Sequence, residues 1–387
     1  MNENIPSSKK IGIIGGGQLG YMLIEAGTPM NLIYNTLDVA NSPCSQLGST
    51  HIVGSITNED DIYNLAKHSD IITFEIEHIN TYALETIEKK GKIVIPSSST
   101  LNIIKDKSIQ KRFYETHQIP TVPFGIALNA SEWDTIINKL DITSTFVIKT
   151  CTGGYDGKGV QIAHVSELQN LKNIYDQIPV VIEQTIDFDK ELSVIVGRDI
   201  YGNAEAFEVV EMVFDPLLNL VDTLISPARI DSPIKDKAKE IALKVVEKLN
   251  DAGIYAVELF LDKQNNIYVN ETAPRPHNSG HHTIESCITS QYEQLNRILM
   301  GWPLGSTQQI RPAAMINIIG SENVTGKYIL GSTHELLNIS EVYIHMYAKS
   351  ETRPGRKLGH ITLMAENDTL LDAKIELVKK MIDVVAV

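Results

Sequence analysis

The chain has 387 residues, with 34 Lys and Arg against 48 Asp and Glu for a net charge of −14, and is 43% hydrophobic and 21% charged. This mix excludes a disordered or collagen-like chain, and the length predicts two or three domains with sizeable cores. A net negative surface disfavours phosphate backbones, so a small-molecule partner is expected rather than nucleic acid, with room left for a local basic pocket.

The elements follow in chain order. Residues 10–14 are a short apolar run that meets Gly15-Gly-Gly-Gln-Leu-Gly20 and then a helix-compatible stretch, 21–26, a strand–turn–helix order. Strands ending at Leu37-Asp38, 71–74 and 93–95, with a helix over 58–68 between them, predict a doubly wound parallel α/β domain over 1–106. Residues 107–117 are a charged helix, and Pro120 and Pro123 lead into a new region. There, 146–149 and 180–183 read as strands flanking a glycine-rich loop, 153–159, and further strands cover 192–196 and 204–210. Residues 234–249 form an amphipathic helix, and 256–261 with 266–269 form a hairpin turning at 263–265. From Gly305 onward come strands at 314–319 and 342–347, a basic turn at 353–357 and a closing helix over 370–382, with no repeats or low-complexity tracts.

Cys44, Cys151 and Cys287 make no CxxC pair and no disulfide-like spacing. The polar start and glycine-broken apolar run lack a signal peptide's hydrophobic region. No segment reaches the roughly 18 apolar residues of a membrane span. The expectation is a cytoplasmic protein with no membrane partner.

Gly15, Gly17 and Gly20 satisfy G-x-G-x-x-G, and Asp38 follows at the end of the next strand, close to the place of the acid expected on a ribose hydroxyl. A dinucleotide, another phosphate at the helix N-terminus and a plain tight turn all stay open. Residues 152–159 read Thr-Gly-Gly-Tyr-Asp-Gly-Lys-Gly. Successive backbone N–H groups of such a loop close on phosphate oxygens, and Lys149 and Lys158 would neutralise charge on the same ligand. It is no Walker A loop, and a flexible hairpin tip is the alternative. Glu183-Gln-Thr-Ile186 followed by Glu191 would set a linker peptide against an adenine edge and a carboxylate near ribose, or would simply be solvated.

Glu258 and Asn270-Glu271 stand on the two arms of the hairpin. Facing carboxylates need Mg²⁺ or a large pKa shift to coexist. Residues 272–282 then gather Arg275, His277, Asn278, Ser279, His281 and His282. Zinc is disfavoured, since there is no H-E-x-x-H helix and two prolines intervene. Anion handling fits better, with Arg275 suited to a transferring phosphoryl group. Lys349, Arg353, Arg356 and Lys357 make a local positive patch, displayed by Pro354-Gly355 toward a phosphate or toward solvent.

Taken together, residues 15–20, Thr73-Phe-Glu-Ile-Glu77, 152–159, 270–281 and Arg353-Pro-Gly-Arg-Lys-Leu-Gly-His360 resemble, in order and over nearly the whole chain, the 5-(carboxyamino)imidazole ribonucleotide synthetase family of ATP-grasp ligases. The resemblance implies an ATP-grasp fold: an N-terminal doubly wound domain (1–106), an ATP-grasp domain (107–304, lid about 107–190 and metal-binding core about 191–304) and a small C-terminal domain (305–387). It implies ATP- and bicarbonate-dependent carboxylation of 5-aminoimidazole ribonucleotide through carboxyphosphate, with Mg²⁺, in purine biosynthesis, and a homodimer.

By position, Lys107, Lys149, Gly154, Tyr155, Asp156, Gly157, Lys158, Gly159, Glu183, Gln184, Thr185, Ile186, Glu191, Asn270 and Glu271 would bind ATP. Glu258 and Glu271 would hold the metal, and Arg275, Lys158 and Asp156 would act in catalysis. Gln18, Leu19, Glu75, Tyr155, His277, Asn278, Ser279, Lys349 and Arg356 would surround the ribonucleotide, and the opening glycines would then serve a substrate phosphate rather than NAD. The chain departs from the family at Phe214, where histidine is common, at Tyr21, where arginine is, and at Asp38-Val39, where Asp-Pro is. A formate-using relative acting on glycinamide ribonucleotide and a non-catalytic nucleotide-binding protein are the competing readings.

Overall fold

The computed structural model describes residues 9–47, 50–153, 159–214 and 221–387. Five parallel strands, β1 (Lys10–Ile14), β2 (Ile33–Asp38), β3 (Thr50–Val53), β4 (Ile71–Phe74) and β5 (Ile93–Val94), lie in the order β3-β2-β1-β4-β5. Helices α1 (Gln18–Gly27), α2 (Glu59–His68), α3 (Thr81–Lys89) and α4 (Ser98–Ile104) accompany them. Ile11, Ile13, Ile14, Leu37, Ile72 and Phe74 are buried, as expected where helices cover both faces of a parallel sheet. The chain reverses its direction across the sheet between β1 and β4, and a crevice opens at the carboxyl ends of such strands. Sequence chemistry sets the helix ends: Asn58 accepts from the Asp61 amide at the start of α2, whose first turn is acidic and last turn basic. The polar pair in β2 is buried but satisfied, with Asn35 Nδ2 donating to the His68 carbonyl at 2.7 Å and Thr36 Oγ1 lying 2.8 Å from His51 Nδ1.

Next come α5 (Lys107–Thr116), β6 (Phe124–Ala127), α6 (Trp133–Lys139), β7 (Thr145–Thr150), β8 (Val160–His164), α7 (Leu168–Ile174) and β9 (Val180–Gln184). The strands form an antiparallel sheet, β6-β9-β7-β8, packed on Trp133, Ile137 and Leu171. One expectation is corrected here. The glycine-rich segment joins β7 to β8, with Thr145↔His164 through Lys149↔Val160 in register, while β9 pairs with β7 on its other side. β8 escaped notice because it is an edge strand that turns its apolar residues outward: Ile162 is 71% exposed, and Ala163 alone points firmly in.

The largest sheet uses β10 (Phe188–Arg198), β11 (Ala204–Ala206), β12 (Val210–Phe214), β13 (Val221–Ser226), β14 (Gly253–Asp262), β15 (Ile267–Ala273) and β16 (Ala313–Ile319). β17 (Tyr328–Gly331), β18 (Val342–Met346), β19 (Lys357–Met364) and β20 (Asp383–Ala386) follow. Its order is β15-β14-β10-β12-β13-β16-β19-β18, with β11 on β10, and β17 pairs apart with β20. The β13–β16 pairing thus carries the last fifth of the chain onto the central sheet. Helix α8 (Ser232–Leu249) packs Ala238, Ile241, Ala242 and Val245 against Val194, Val257, Leu259 and Val269 on one face. Two short helices, α9 (Thr283–Ser286) and α10 (Gln291–Met300), follow β15. α10 packs Leu295 and Ile298 with Leu19 and Leu23 of α1 and Ile195 and Ile254 of the sheet, fixing the N-terminal sheet to the central one. The chain closes with α11 (Thr333–Leu337) and α12 (Asp368–Met381). Among the described residues no helix is long and apolar enough to cross a membrane.

Candidate active site

The β14–β15 hairpin runs in regular register from Leu261↔Ile267 to Leu259↔Val269 and then shifts, so that Glu258 pairs with Glu271 and Asn270 is the extra residue of a bulge. Without the bulge Glu271 would stand opposite Val257, on the face that Val257, Leu259 and Val269 bury against α8. The bulge instead turns Glu271 to the side of Glu258. Ser193 pairs with Glu258 and Glu191 with Phe260 across β10, which brings Glu191 onto the same face. Burial pushes the Glu258 carboxyl up to about 8, and the charges of Glu271 and Glu191 push the same way. Burial likewise raises Glu191 to about 7, with Glu271 adding to it against Lys149.

The Glu258 and Glu191 carboxylates lack enough local positive charge to be comfortable as anions, an electrostatic signature that suits a cation. Among the described residues no three His, Cys, Asp or Glu side chains form a metal cage. Two hard oxygen donors suffice for Mg²⁺, which usually completes its shell with waters and phosphate oxygens.

Four side chains close in from the lid side. Lys107 Nζ lies 3.8 Å from Glu271 Oε2. Lys149 Nζ donates to Asn270 Oδ1 at 2.8 Å and lies 2.9 Å from Glu183 Oε2, whose other oxygen sits 2.7 Å from Lys111 Nζ. Burial alone would raise the Glu183 pKa, but the ammonium groups of Lys149 and Lys111 outweigh it and hold the carboxyl at about 2. The alternative of a solvated Glu183 is therefore corrected: its side chain is buried between two lysines. Gln184 donates to the Leu140 carbonyl and Thr185 pairs with Thr145, so both side chains are engaged within their own sheet region.

The polar segment after β15 points back at the same carboxylates. His277 Nε2 is 3.5 Å from Glu258 Oε1, while its Nδ1 is 2.9 Å from Ser279 Oγ, itself 2.8 Å from Ser193 Oγ. Asn278 donates to Asn317 Oδ1 on β16. Arg275 Nε lies 2.9 Å from Glu77 Oε1, so the guanidinium is shared between the central sheet and the loop after β4. His281 and His282 are buried and turned away, His281 Nδ1 being 3.0 Å from the Tyr292 hydroxyl. Lys349 Nζ donates to the Lys357 carbonyl at 2.6 Å and Arg356 Nη1 to the Glu351 carbonyl at 2.7 Å, which gathers the positive patch at the start of β19.

At the N-terminal crevice Gly15 takes φ +96°, and a Cβ there would lie 2.6 Å from Glu75 Cγ, so the turn needs glycine. The carboxylate of Glu75 accepts from the Gly17 and Gly20 amides, and Asp38 Oδ2 accepts from the Gly16 amide at 2.7 Å. This amends the reading of the opening glycines: the protein's own carboxylates hold the amides at the start of α1, and Asp38 is not turned to a ribose. Leu19 is a second correction, since its side chain lies in the core with Met22 and Leu23, whereas Gln18 is half-buried at the helix start. Gly154, Tyr155, Asp156, Gly157 and Lys158 lie outside the described residues, and Gly159 closes the hairpin by accepting from the Thr150 amide.

Three residues outside the expected set also act here. Lys111 and Glu77 hold Glu183 and Arg275, and Lys357 pulls down the Glu258 pKa. Lys111 had a signal in the sequence, one helical turn after Lys107 on the same helix face. Glu77 had only its place in the Glu-Ile-Glu motif.

Comparison with known proteins agrees with this arrangement. Residues 8–105 match the ribonucleotide synthetase preATP-grasp domain, 112–292 the ATP-grasp domain, and 313–374 the phosphoribosylaminoimidazole carboxylase C-terminal domain. The N5-carboxyaminoimidazole ribonucleotide synthase of Bacillus subtilis is 36% identical, over 92% of this chain and 91% of its own. The phosphoribosylaminoimidazole carboxylase of Schizosaccharomyces pombe is also 36% identical over 92% of this chain, which spans 65% of that longer protein. Among solved structures, the N5-carboxyaminoimidazole ribonucleotide synthetase of Thermotoga maritima superposes with a TM-score of 0.88 at 38% identity, covering 98% of this chain and 100% of that one. The Aspergillus clavatus synthase, solved with ADP and 5-aminoimidazole ribonucleotide, gives 0.87 at 30% identity over 97% and 98%. With identity at this level along nearly the full length of both partners, the chain belongs to the N5-carboxyaminoimidazole ribonucleotide synthase family.

Proposed function

We propose that this ligase uses ATP and bicarbonate to carboxylate the exocyclic amine of 5-aminoimidazole ribonucleotide, releasing ADP and phosphate, in purine biosynthesis. A bicarbonate oxygen attacks the γ-phosphorus as the bond to ADP breaks, giving carboxyphosphate. The amine then takes the carboxyl carbon, or CO₂ released from it, and phosphate leaves. The observation that carries this reading is the convergence on one face of Glu258, Glu271 and Asn270 with Lys107 and Lys149 from the lid side and His277 from the polar segment.

In this reading Lys107 and Lys149 bind the triphosphate, the backbone of 183–186 meets adenine and Glu191 the ribose. Arg275, steadied by Glu77, holds the transferring group, with Lys158 and Asp156 of the loop joining it. His277, Asn278, Ser279, Gln18, Glu75, Lys349 and Arg356 surround the ribonucleotide. Glu258 and Glu271 would hold Mg²⁺, which when bound neutralises charge on the phosphate oxygens. Loop 153–159 shields the mixed anhydride from water. The division into 1–106, 107–304 and 305–387 belongs to the same proposal, as do a homodimer and a cytoplasmic setting, the latter supported by three buried free thiols.

The test is ADP release by purified protein with 5-aminoimidazole ribonucleotide and either bicarbonate or formate, and with glycinamide ribonucleotide and formate. Release that requires bicarbonate and the aminoimidazole supports the proposal. Release driven by formate and glycinamide ribonucleotide moves the chain to the formate-using class, and no release with any pair makes it a non-catalytic nucleotide binder.

A further inference from the structure

We infer that Lys111 is a positioning residue for the nucleotide end of the site: it acts through Glu183 to hold the Lys149 ammonium against Asn270. The inference rests on the reading of Lys149 as an ATP ligand and adds to it a residue with no place among the expected contacts.

The geometry is a closed circuit. Lys111 Nζ sits 2.7 Å from Glu183 Oε1 and donates to Thr121 Oγ1 at 2.6 Å. Thr121 Oγ1 donates in turn to the Val269 carbonyl at 2.7 Å, immediately before the bulge. Glu183 Oε2 lies 2.9 Å from Lys149 Nζ, which donates to Asn270 Oδ1 at 2.8 Å, the bulge residue itself. The circuit therefore ties α5, the β7 and β9 strands of the lid sheet, and the β15 arm of the hairpin into one object. All three charged side chains are nearly inaccessible, at 3% for Lys111, 3% for Glu183 and 9% for Lys149, so water competes for none of these bonds.

Charge count gives Lys111 its role. Two ammonium groups share one carboxylate, which leaves a net positive charge at Lys149 directed to the metal and phosphate side. Without Lys111 the carboxylate has only one cation, and Lys149 is drawn onto both of its oxygens and away from Asn270. Burial drags the Lys111 ammonium down to about 8, with Glu183 opposing, so it remains charged at neutral pH.

The experiment is calorimetric titration of ADP with Mg²⁺ into wild type, Lys111→Met, Glu183→Gln and the Lys111→Met/Glu183→Gln double variant, together with KM values for ATP and for 5-aminoimidazole ribonucleotide. Lys111→Met is expected to weaken ADP about tenfold or more, the range for a lost charge-assisted contact, and to raise KM for ATP while KM for the ribonucleotide stays within about twofold. If Lys111 works through Glu183, it contributes nothing once that carboxylate is neutral, so the double variant should bind ADP as Glu183→Gln does. The double variant keeps the net charge of the cluster unchanged and leaves one buried ammonium without its carboxylate where Glu183→Gln leaves two, which guards against a folding failure of the single one. Wild type that binds ADP alongside a Lys111→Met variant of equal affinity overturns the role of Lys111 alone, as does a strictly additive double variant. Wild type that binds no ADP overturns the ATP-site reading beneath it.

Discussion

His360→Asn offers a pH experiment on the seam between β19 and the polar segment of the site. The imidazoles of His281, His282 and His360 are all but inaccessible there, and the rings of His281 and His345 lie 4.7 and 4.5 Å from that of His360. Burial holds His282 at about 4, and burial together with neighbouring imidazoles keeps His281 and His360 well below the usual value. In the unfolded chain each imidazole binds a proton near 6.5, so unfolding takes up protons below that pH and stability falls on acidification. Each group contributes roughly 1.4 kcal/mol per pH unit while its two forms differ in protonation.

Carboxylates oppose them. Glu258 at about 8 and Glu191 at about 7 stay protonated in the fold at pH values where the unfolded chain has ionised them, and stability from these rises as pH drops toward 4.5. Glu25 and Glu75, also raised by burial, act in the same direction. The wild-type curve is thus the resultant of opposing slopes, and the difference between variant and wild type is the informative quantity. Asparagine keeps an oxygen where His360 Nδ1 faces the Tyr347 hydroxyl at 2.9 Å, so its packing cost is a constant offset. Urea unfolding in half-unit steps from about pH 7 to about 4.5 should show the variant gaining on wild type as pH falls below 6.5, at a slope approaching roughly 1.4 kcal/mol per unit while the folded imidazole stays neutral. Parallel curves would refute the buried neutral imidazole.

Three further outcomes follow from single contacts. Glu271→Gln should abolish ADP release while leaving the thermal midpoint within a few degrees, because it removes one charge opposite the nucleotide phosphates and is a partly exposed side chain; near-normal turnover would remove the metal assignment. Glu183→Gln leaves two buried lysines without their shared carboxylate and should cost about 3–5 kcal/mol in urea unfolding, and a loss below about 1 kcal/mol would mean the lysines find other partners. Gly17→Ala puts a Cβ 2.5 Å from Glu75 Oε1, which should dislodge the carboxylate from the start of α1 and lower stability by about 2 kcal/mol in urea unfolding; an unchanged midpoint would mean the carboxylate adjusts without loss.

The architecture was legible where residues obey a period. Short apolar runs alternating with helices announced the parallel sheet, and the alternation in β14 and β15 announced the hairpin. Legibility stopped where side chains choose partners far along the chain. Glu183 looked like an exposed strand-end acid because nothing local shows that Lys111 and Lys149, on a helix and a strand much earlier in the chain, bury against it. Leu19 was drawn into the substrate set by its neighbours in the glycine motif, although its apolar side chain belongs to the core with α10. Phe214, where the family often has histidine, packs beside Val210, Met212, Leu224 and Met315, so apolar contact takes up the position.

The carboxylates proposed to hold the metal show how narrow the margin was. The facing pairs Leu261↔Ile267, Phe260↔Tyr268 and Leu259↔Val269 of this hairpin are all separated by an even count of positions, whereas the separation of Glu258 and Glu271 is odd. In a regular continuation an odd separation places two residues on opposite faces, and one of these carboxylates would enter the packing of Val257, Leu259 and Val269 without a partner. That burial is costly enough to forbid the register, and the cheaper solution is to extrude one residue. The odd spacing therefore encoded a bulge as well as a pair, but reading it requires the turn length, which sets the parity and is the least certain feature of a strand sequence. Asn270, the extruded residue, then gains a position that a flat strand would not offer, between Lys149 and Glu271, and the defect in the ladder is what builds the site.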